Sequence, residues 1–268
     1  MKIAFIGGGN MARAIIAGLC DKGFAGGDIA VKDPNEDKRA ALAARFGVEG
    51  RASAGDWISR ADLVVLAVKP QVLEAAAGEV ARWIAPSATV LSIAAGVGVE
   101  ALARWTGHAH IVRCLPNTPA MVGAGYSALF AGPGADARDR GRAQTVMQSV
   151  GEAAWVQSEE QMHVVTAGPG SGPAYVFLFL QGLSEALERA GADKAQARSL
   201  AIATVSGAAR LAAQSESDFE ALRAMVTSKG GTTARAIEAL EAGDFRGLID
   251  QAVRACIARS REMAETYR

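Results

Sequence analysis

Residues 2–19 read KIAFIGGGNMARAIIAGL. Ile3-Ala4-Phe5-Ile6 is a short apolar run, Gly7-Gly8-Gly9 interrupts it at once, and from Met11 onward Ile15, Ile16 and Leu19 recur at helical spacing. The order is strand, glycine turn, helix. Gly7, Gly9 and Ala12 fit the G-x-G-x-x-G/A pattern: the first residue permits the tight turn, the second lets a pyrophosphate approach the backbone, and the third packs helix on strand. A bare match is weak, and its place between a strand and a helix is what gives it weight. A second strand, Ile29-Ala30-Val31-Lys32, runs into Asp33, where a carboxylate can take the ribose hydroxyls of a dinucleotide. Asp33 argues for NAD, whereas Lys32 can accommodate a 2′-phosphate, so both coenzymes stay open.

Residues 36–46 read as a helix. Asp62 to Val68, Val90 to Ile93 and Ile111 to Leu115 are nearly continuous apolar runs, as expected of parallel strands covered on both faces. They stop at Lys69-Pro70, Ala94-Ala95-Gly96 and Pro116-Asn117-Thr118-Pro119, at strand ends of the kind where open α/β sheets bind ligands. Ala128 and Phe130 with Val156 suggest short strands at the far edge, joined by a helix from Ala137 to Val150. The fold class is therefore α/β, an N-terminal Rossmann-type doubly wound sheet followed by an all-helical part.

From about Gln161 the periodicity is helical and stays so, which places a boundary between residues 1–162 and 163–268. Ala174 to Leu180 is apolar around its whole circumference and must be buried on all sides. The helices expected at 194–214, 217–226, 232–242 and 245–266 form too small a bundle to enclose it, so an obligate homodimer is expected.

Lys plus Arg and Asp plus Glu are both 28 among 268 residues, with no long run of either sign, which argues against nucleic-acid and membrane surfaces as partners. Cys20, Cys114 and Cys256 form no Cys-x-x-Cys pair, which suggests a reducing compartment. The N-terminal apolar run is too short for a signal peptide, and no stretch approaches the ~20 apolar residues of a membrane span, so a cytoplasmic setting is expected. His108 and His110 are read as a solvated turn without nearby Cys or carboxylate partners, and no metal site is expected.

Residues 226–237, VTSKGGTTARAI, contain the other informative stretch. Lys229-Gly230-Gly231 breaks one apolar segment, and Thr232-Thr233 open a helix that continues through Ile237 and Leu240. A helix start exposes unpaired N–H groups and partial positive charge, so an oxyanion can sit there; a plain capped turn is the other reading.

With these pieces placed, the sequence resembles the pyrroline-5-carboxylate reductases over nearly its whole length. The resemblance rests on IGGGNMARAI at 6–15, LAVKPQ at 66–71, SIAAGV at 92–97, RCLPNTPAMVGAG at 113–125, GPGSGPAYVF at 168–177 and TSKGGTTARAI at 227–237. It implies hydride transfer from NAD(P)H to the C=N bond of 1-pyrroline-5-carboxylate, giving L-proline, with NADPH the family's habit. It also implies a helical domain that interlocks with its partner as a homodimer, often assembled into larger rings, with the active site between the coenzyme domain and the paired helical domains. By likeness, Ser228, Gly231, Thr232 and Thr233 would hold the substrate carboxylate, and the Thr233 hydroxyl would lie near the ring nitrogen, the one catalytic role assigned. Ile6, Gly7, Gly8, Gly9, Asn10 and Met11 would wrap the pyrophosphate. Ala67, Val68, Lys69, Pro70, Ala94, Ala95 and Gly96 would line the dinucleotide. Asn117 and Thr118 would approach the nicotinamide, Asn117 also facing the substrate, with Lys32 and Asp33 at the ribose. Lys229 departs from the Pro usual in the family. A β-hydroxyacid dehydrogenase shares this architecture but uses a Lys on the long helix as proton acceptor, and residues 174–190 contain none.

Overall fold

The computed structural model describes residues 1–267, which form two compact units: Met1–Ser171 with the segment from Cys256 onward, and Gly172–Ala255. The first is built on one eight-stranded sheet. Its strands and helices follow in chain order as β1 (Ile3–Ile6), α1 (Asn10–Asp21), β2 (Ile29–Lys32), α2 (Glu36–Phe46), β3 (Glu49–Arg51), β4 (Leu63–Leu66), α3 (Pro70–Ala81), β5 (Thr89–Ser92), α4 (Val99–Thr106), β6 (Ile111–Leu115), β7 (Gly125–Ala131), α5 (Ala137–Met147) and β8 (Gly151–Trp155). The spatial order is β3-β2-β1-β4-β5-β6-β7-β8. The first six strands are parallel, β7 runs antiparallel to β6, and β8 pairs parallel with β7.

Alternation along the buried strands divides the core in two. Ile3, Phe5, Val31, Leu63 and Val65 point to one face, against Ile15, Ile16 and Leu19 of α1 and Val146 and Met147 of α5. Ala4, Ile6, Val64 and Leu66 point to the other, against Leu73, Ala77 and Val80 of α3 and Leu102 of α4. Each fully buried Leu or Ile contributes about 1.5–3 kcal/mol, so the central strands are apolar on both faces by necessity.

β3 is an element the sequence reading lacks. Glu49-Gly50-Arg51 has no apolar alternation; it forms because Gly47 ends α2 in a left-handed conformation and the free edge of β2 offers hydrogen bonds, as in Asp33 N–H to the Arg51 carbonyl at 3.2 Å. At the other edge, the expected strand around Val156 is β8, which ends at Trp155, with Val156 N–H still bonded to the Leu129 carbonyl.

The boundary expected at 162/163 falls inside α6 (Gln161–Val165), which belongs to the sheet unit because Met162 is buried with Leu115 and Ala128. A wide turn at Thr166–Gly170, broken at Gly168 and carrying Pro169, follows. The second unit holds α7 (Gly172–Arg189), α8 (Lys194–Gln214), α9 (Phe219–Met225), α10 (Thr232–Ala242) and the start of α11 (Phe245–Glu265). Pro173 sits in the first turn of α7, where its missing N–H does no harm. No residue of α7 is buried in the single chain; Phe177 and Leu178 are 64% and 70% exposed. Among the described residues no helix is long and apolar enough to cross a membrane.

Candidate active site

In the first unit the predicted coenzyme residues gather at the carboxyl ends of the parallel strands. The order β2-β1-β4 reverses direction at β1, and the crevice at such a reversal is where open α/β sheets bind ligands. Ile6 ends β1, and Gly7 turns with φ of 107°; a Cβ there would lie 2.6 Å from the Ala67 carbonyl oxygen just past β4. Only glycine fits. Gly7 N–H donates to the Lys32 carbonyl at 2.7 Å, and Gly8 N–H donates to Asp33 Oδ2 at 2.9 Å. Gly9 stands ahead of α1 with no capping side chain, a Cβ on it would meet nothing within 4 Å, and no acid occupies the first turn. Asn10 and Met11 begin the helix beside that open space. The turn thus fits a pyrophosphate, whose oxygens would meet the first N–H groups of α1.

Asp33 is buried, and its second oxygen accepts from Asn35 N–H at 2.9 Å. Its carboxylate therefore organises the glycine turn and the loop after β2. Ala67 continues from β4 with its N–H on the Ile6 carbonyl, and Val68 leads to Lys69 and Pro70, the uncapped start of α3. Ala94 is buried after β5, Ala95 is exposed, and Gly96 turns with φ of 78°. Asn117 is buried after β6: its side-chain amide donates to the Pro169 carbonyl at 2.9 Å and its Oδ1 accepts from Tyr126 N–H at 2.8 Å. Thr118 beside it is exposed.

Two partnerships escaped the sequence. Lys32 forms an ion pair with Glu79 of α3, whose hydrogen bond from the ammonium holds the Glu79 carboxyl below the usual range. Nothing in the spacing of residues 32 and 79 announces it. The reading of His110 as free of nearby carboxylates is corrected: its Nδ1 lies 2.8 Å from Asp139 Oδ2, with Asp136 also close. The cause is the capping box that Asp136 and Asp139 form at the start of α5, packed beside the end of the 108–110 turn. Burial by itself would raise the Asp139 carboxyl, but hydrogen bonds from Thr89, the Asp136 N–H and His110 outweigh it and hold it low.

The second unit carries the residues at 228–233. Gly230 has φ of 72°, Gly231 N–H donates to the Ser228 carbonyl at 3.0 Å, and a Cβ on Gly231 would strike the Ser228 hydroxyl. Gly231 is the cap residue of α10 in extended conformation (φ −77°, ψ 173°), with no side-chain cap and no acid in the first turn. Thr232 is exposed, Thr233 half-buried and Lys229 exposed. A helix N-terminus left without its own cap is a place for an anion.

Strand order, the open glycine cradle and the acid after β2 define the class: a Rossmann-type dinucleotide-binding protein carrying a helical second unit. Residues 2–96 match the family described as NADP oxidoreductase coenzyme F420-dependent, and residues 159–263 match pyrroline-5-carboxylate reductase dimerisation. The chain is 40% identical to pyrroline-5-carboxylate reductase of Pseudomonas aeruginosa over 98% of its own length and 97% of the relative's, and 43% identical to that of Haemophilus influenzae over 99% and 98%. Among solved structures it is similar to a pyrroline-5-carboxylate reductase from Coxiella burnetii, with a TM-score of 0.93 at 40% identity and 98% coverage of both chains. It is also similar to the Plasmodium falciparum enzyme with NADP bound, with a TM-score of 0.87 at 25% identity and 98% coverage of both. The chain belongs to the pyrroline-5-carboxylate reductase family of NAD(P)H-dependent oxidoreductases. The dimerisation match supports a homodimer.

Proposed function

We propose that the chain reduces the C=N bond of 1-pyrroline-5-carboxylate to give L-proline, the last step of proline biosynthesis, with NADPH as coenzyme and NADH as an alternative. The observation that carries the substrate assignment is the start of α10, uncapped by any side chain and held open by Gly230 and Gly231, in a chain of this family. The sheet unit, Met1–Ser171, serves as the coenzyme part and the helices of Gly172–Ala255 as the dimerisation and substrate part, in a cytoplasmic protein whose obligate dimers assemble into larger rings.

The residues divide the work. Ile6 to Met11 hold the pyrophosphate through backbone N–H groups; Ala67 to Pro70 and Ala94 to Gly96 line the dinucleotide; Asn117 and Thr118 adjoin the nicotinamide. Ser228, Gly231 and Thr232 bind the substrate carboxylate with charge-assisted hydrogen bonds, which need no buried cation. The Thr233 hydroxyl orients the ring nitrogen and is placed to relay a proton to it. When bound, the reduced coenzyme supplies the hydride. A protonated cyclic imine is already a strong electrophile, so the protein's task is alignment of the reacting carbon and exclusion of water.

Purified protein incubated with the imine and either NADPH or NADH should consume the reduced nicotinamide, read by its absorbance. Folded dimer that turns over neither would end this reading. In Thr233→Ala, kcat/KM for the imine should fall roughly 100-fold while coenzyme affinity stays nearly unchanged. Equal loss of both would remove the role given to Thr233.

A further inference from the structure

The cations at the carboxyl end of β2 and β3 are all engaged. Lys38 Nζ lies 3.7 Å from Asp33 Oδ2; Arg39 Nη1 donates to the Asp33 and Pro34 carbonyls at 2.7 and 3.0 Å; Arg51 pairs with Glu49. Lys32 pairs with Glu79, which comes from a different element, α3. The Lys32 side chain is only 12% exposed, while Glu79 is 47% exposed and thus reachable from solvent. The other Glu79 oxygen, Oε1, lies 3.5 Å from Ala54 N–H in the loop after β3. Glu79 therefore bridges the end of β2 to that loop, along the edge where the ribose 2′ position of a bound dinucleotide lies in this fold.

We propose that Glu79 is a specificity-determining residue for the coenzyme: by occupying the Lys32 ammonium it withholds that charge from a 2′-phosphate and keeps the ribose site open to NADH. This rests on the dinucleotide-binding reading above. The argument is one of charge. A 2′-phosphate brings nearly two negative charges to this edge and must share Lys32 with a carboxylate that repels it, whereas a 2′-hydroxyl carries no charge and is indifferent to Glu79. The hydrogen bond from Lys32 keeps Glu79 ionised, so the competition persists at neutral pH. Asp33 cannot be relieved in the same way, because its carboxylate holds Gly8 and Asn35 in place.

The test is Glu79→Gln, which removes the charge and keeps the side chain's size and its acceptor for Ala54 N–H. Calorimetric titration with NADP⁺ and with NAD⁺ needs no imine and no turnover. NADP⁺ should bind about fivefold more tightly to the variant while NAD⁺ changes by less than about twofold, in line with release of one charge-assisted pair. Equal changes for both coenzymes, or weaker NADP⁺ binding, would overturn the proposal. In a Lys32→Ala background the gain for NADP⁺ from Glu79→Gln should shrink to less than about twofold, since only the direct repulsion by the carboxylate is then removed; a selective gain of the same size there would overturn the part given to Lys32. Parent protein that bound neither dinucleotide would overturn the underlying reading and this inference with it, whereas parent protein that bound both but failed to reduce the imine would overturn the substrate assignment alone.

Discussion

At the scale of single residues, Gly7 shows how a backbone position can be dictated twice. Its φ of 107° lies where L side chains rarely go, and a Cβ would sit 2.6 Å from the Ala67 carbonyl, a rigid neighbour at the end of β4. Gly7→Ala should lower unfolding free energy by about 1–3 kcal/mol in urea titrations and weaken dinucleotide binding at least tenfold, because relief of strain must shift the turn that carries Gly8 and Gly9. Unchanged coenzyme affinity would show that the turn does not hold the pyrophosphate. The need for Gly7 was legible in the G-x-G-x-x-A spacing. The double engagement of Asp33 and the pairing of Lys32 with Glu79 were not, because both depend on which strand end or helix lies alongside.

Among the elements, α6 and the last turns of α11 make a local joint within the first unit. His163 Nδ1 meets Ser260 Oγ at 2.8 Å, Ser260 reaches Thr166 Oγ1 at 3.4 Å, and Arg261 pairs with Glu160. Burial depresses the His163 pKa below its ordinary value of 6.5; Glu160 and Glu159 oppose the shift, and Arg113 and Arg261 reinforce it. The sign follows directly. As pH falls through 6.5 the unfolded chain takes up the proton first, so the stability from neutral His163 is fully present above that value and is lost on the way down through the lower folded pKa. Urea midpoints measured across this range should decline with acidification in the parent, and His163→Gln should flatten that decline; identical slopes would mean that His163 does not titrate on folding. The periodicity correctly made α6 a helix but assigned it to the helical part, since periodicity says nothing of the neighbour against which Met162 is buried.

At the scale of the molecule, the exposed flank of α7 is the outstanding fact. A chain that leaves Phe177 and Leu178 largely uncovered, and buries no residue of that helix, carries an apolar surface of the kind obligate dimers cover. Leu178→Asp places a charge in that surface. It should dissociate the dimer, on the order of 3 kcal/mol or more for an unpaired buried charge, read as a monomer in sedimentation velocity and as a Tm independent of protein concentration. A dimer that persisted unweakened would place the interface elsewhere.

What the sequence determined by itself was whatever depends on near neighbours along the chain. The strand, glycine turn and helix at 2–19, the runs of β4, β5 and β6 with their abrupt ends, and the glycines before Thr232 all declare themselves through steric freedom and apolar period, which are local properties. The fully apolar stretch at 174–180 even announced that one chain could not cover it. Tertiary structure alone decided β3, the membership of α6, the carboxylate beside His110 and the partner of Lys32. Each of these is a contact between residues far apart in sequence, where free edges, charges and burial are set by packing rather than by pattern.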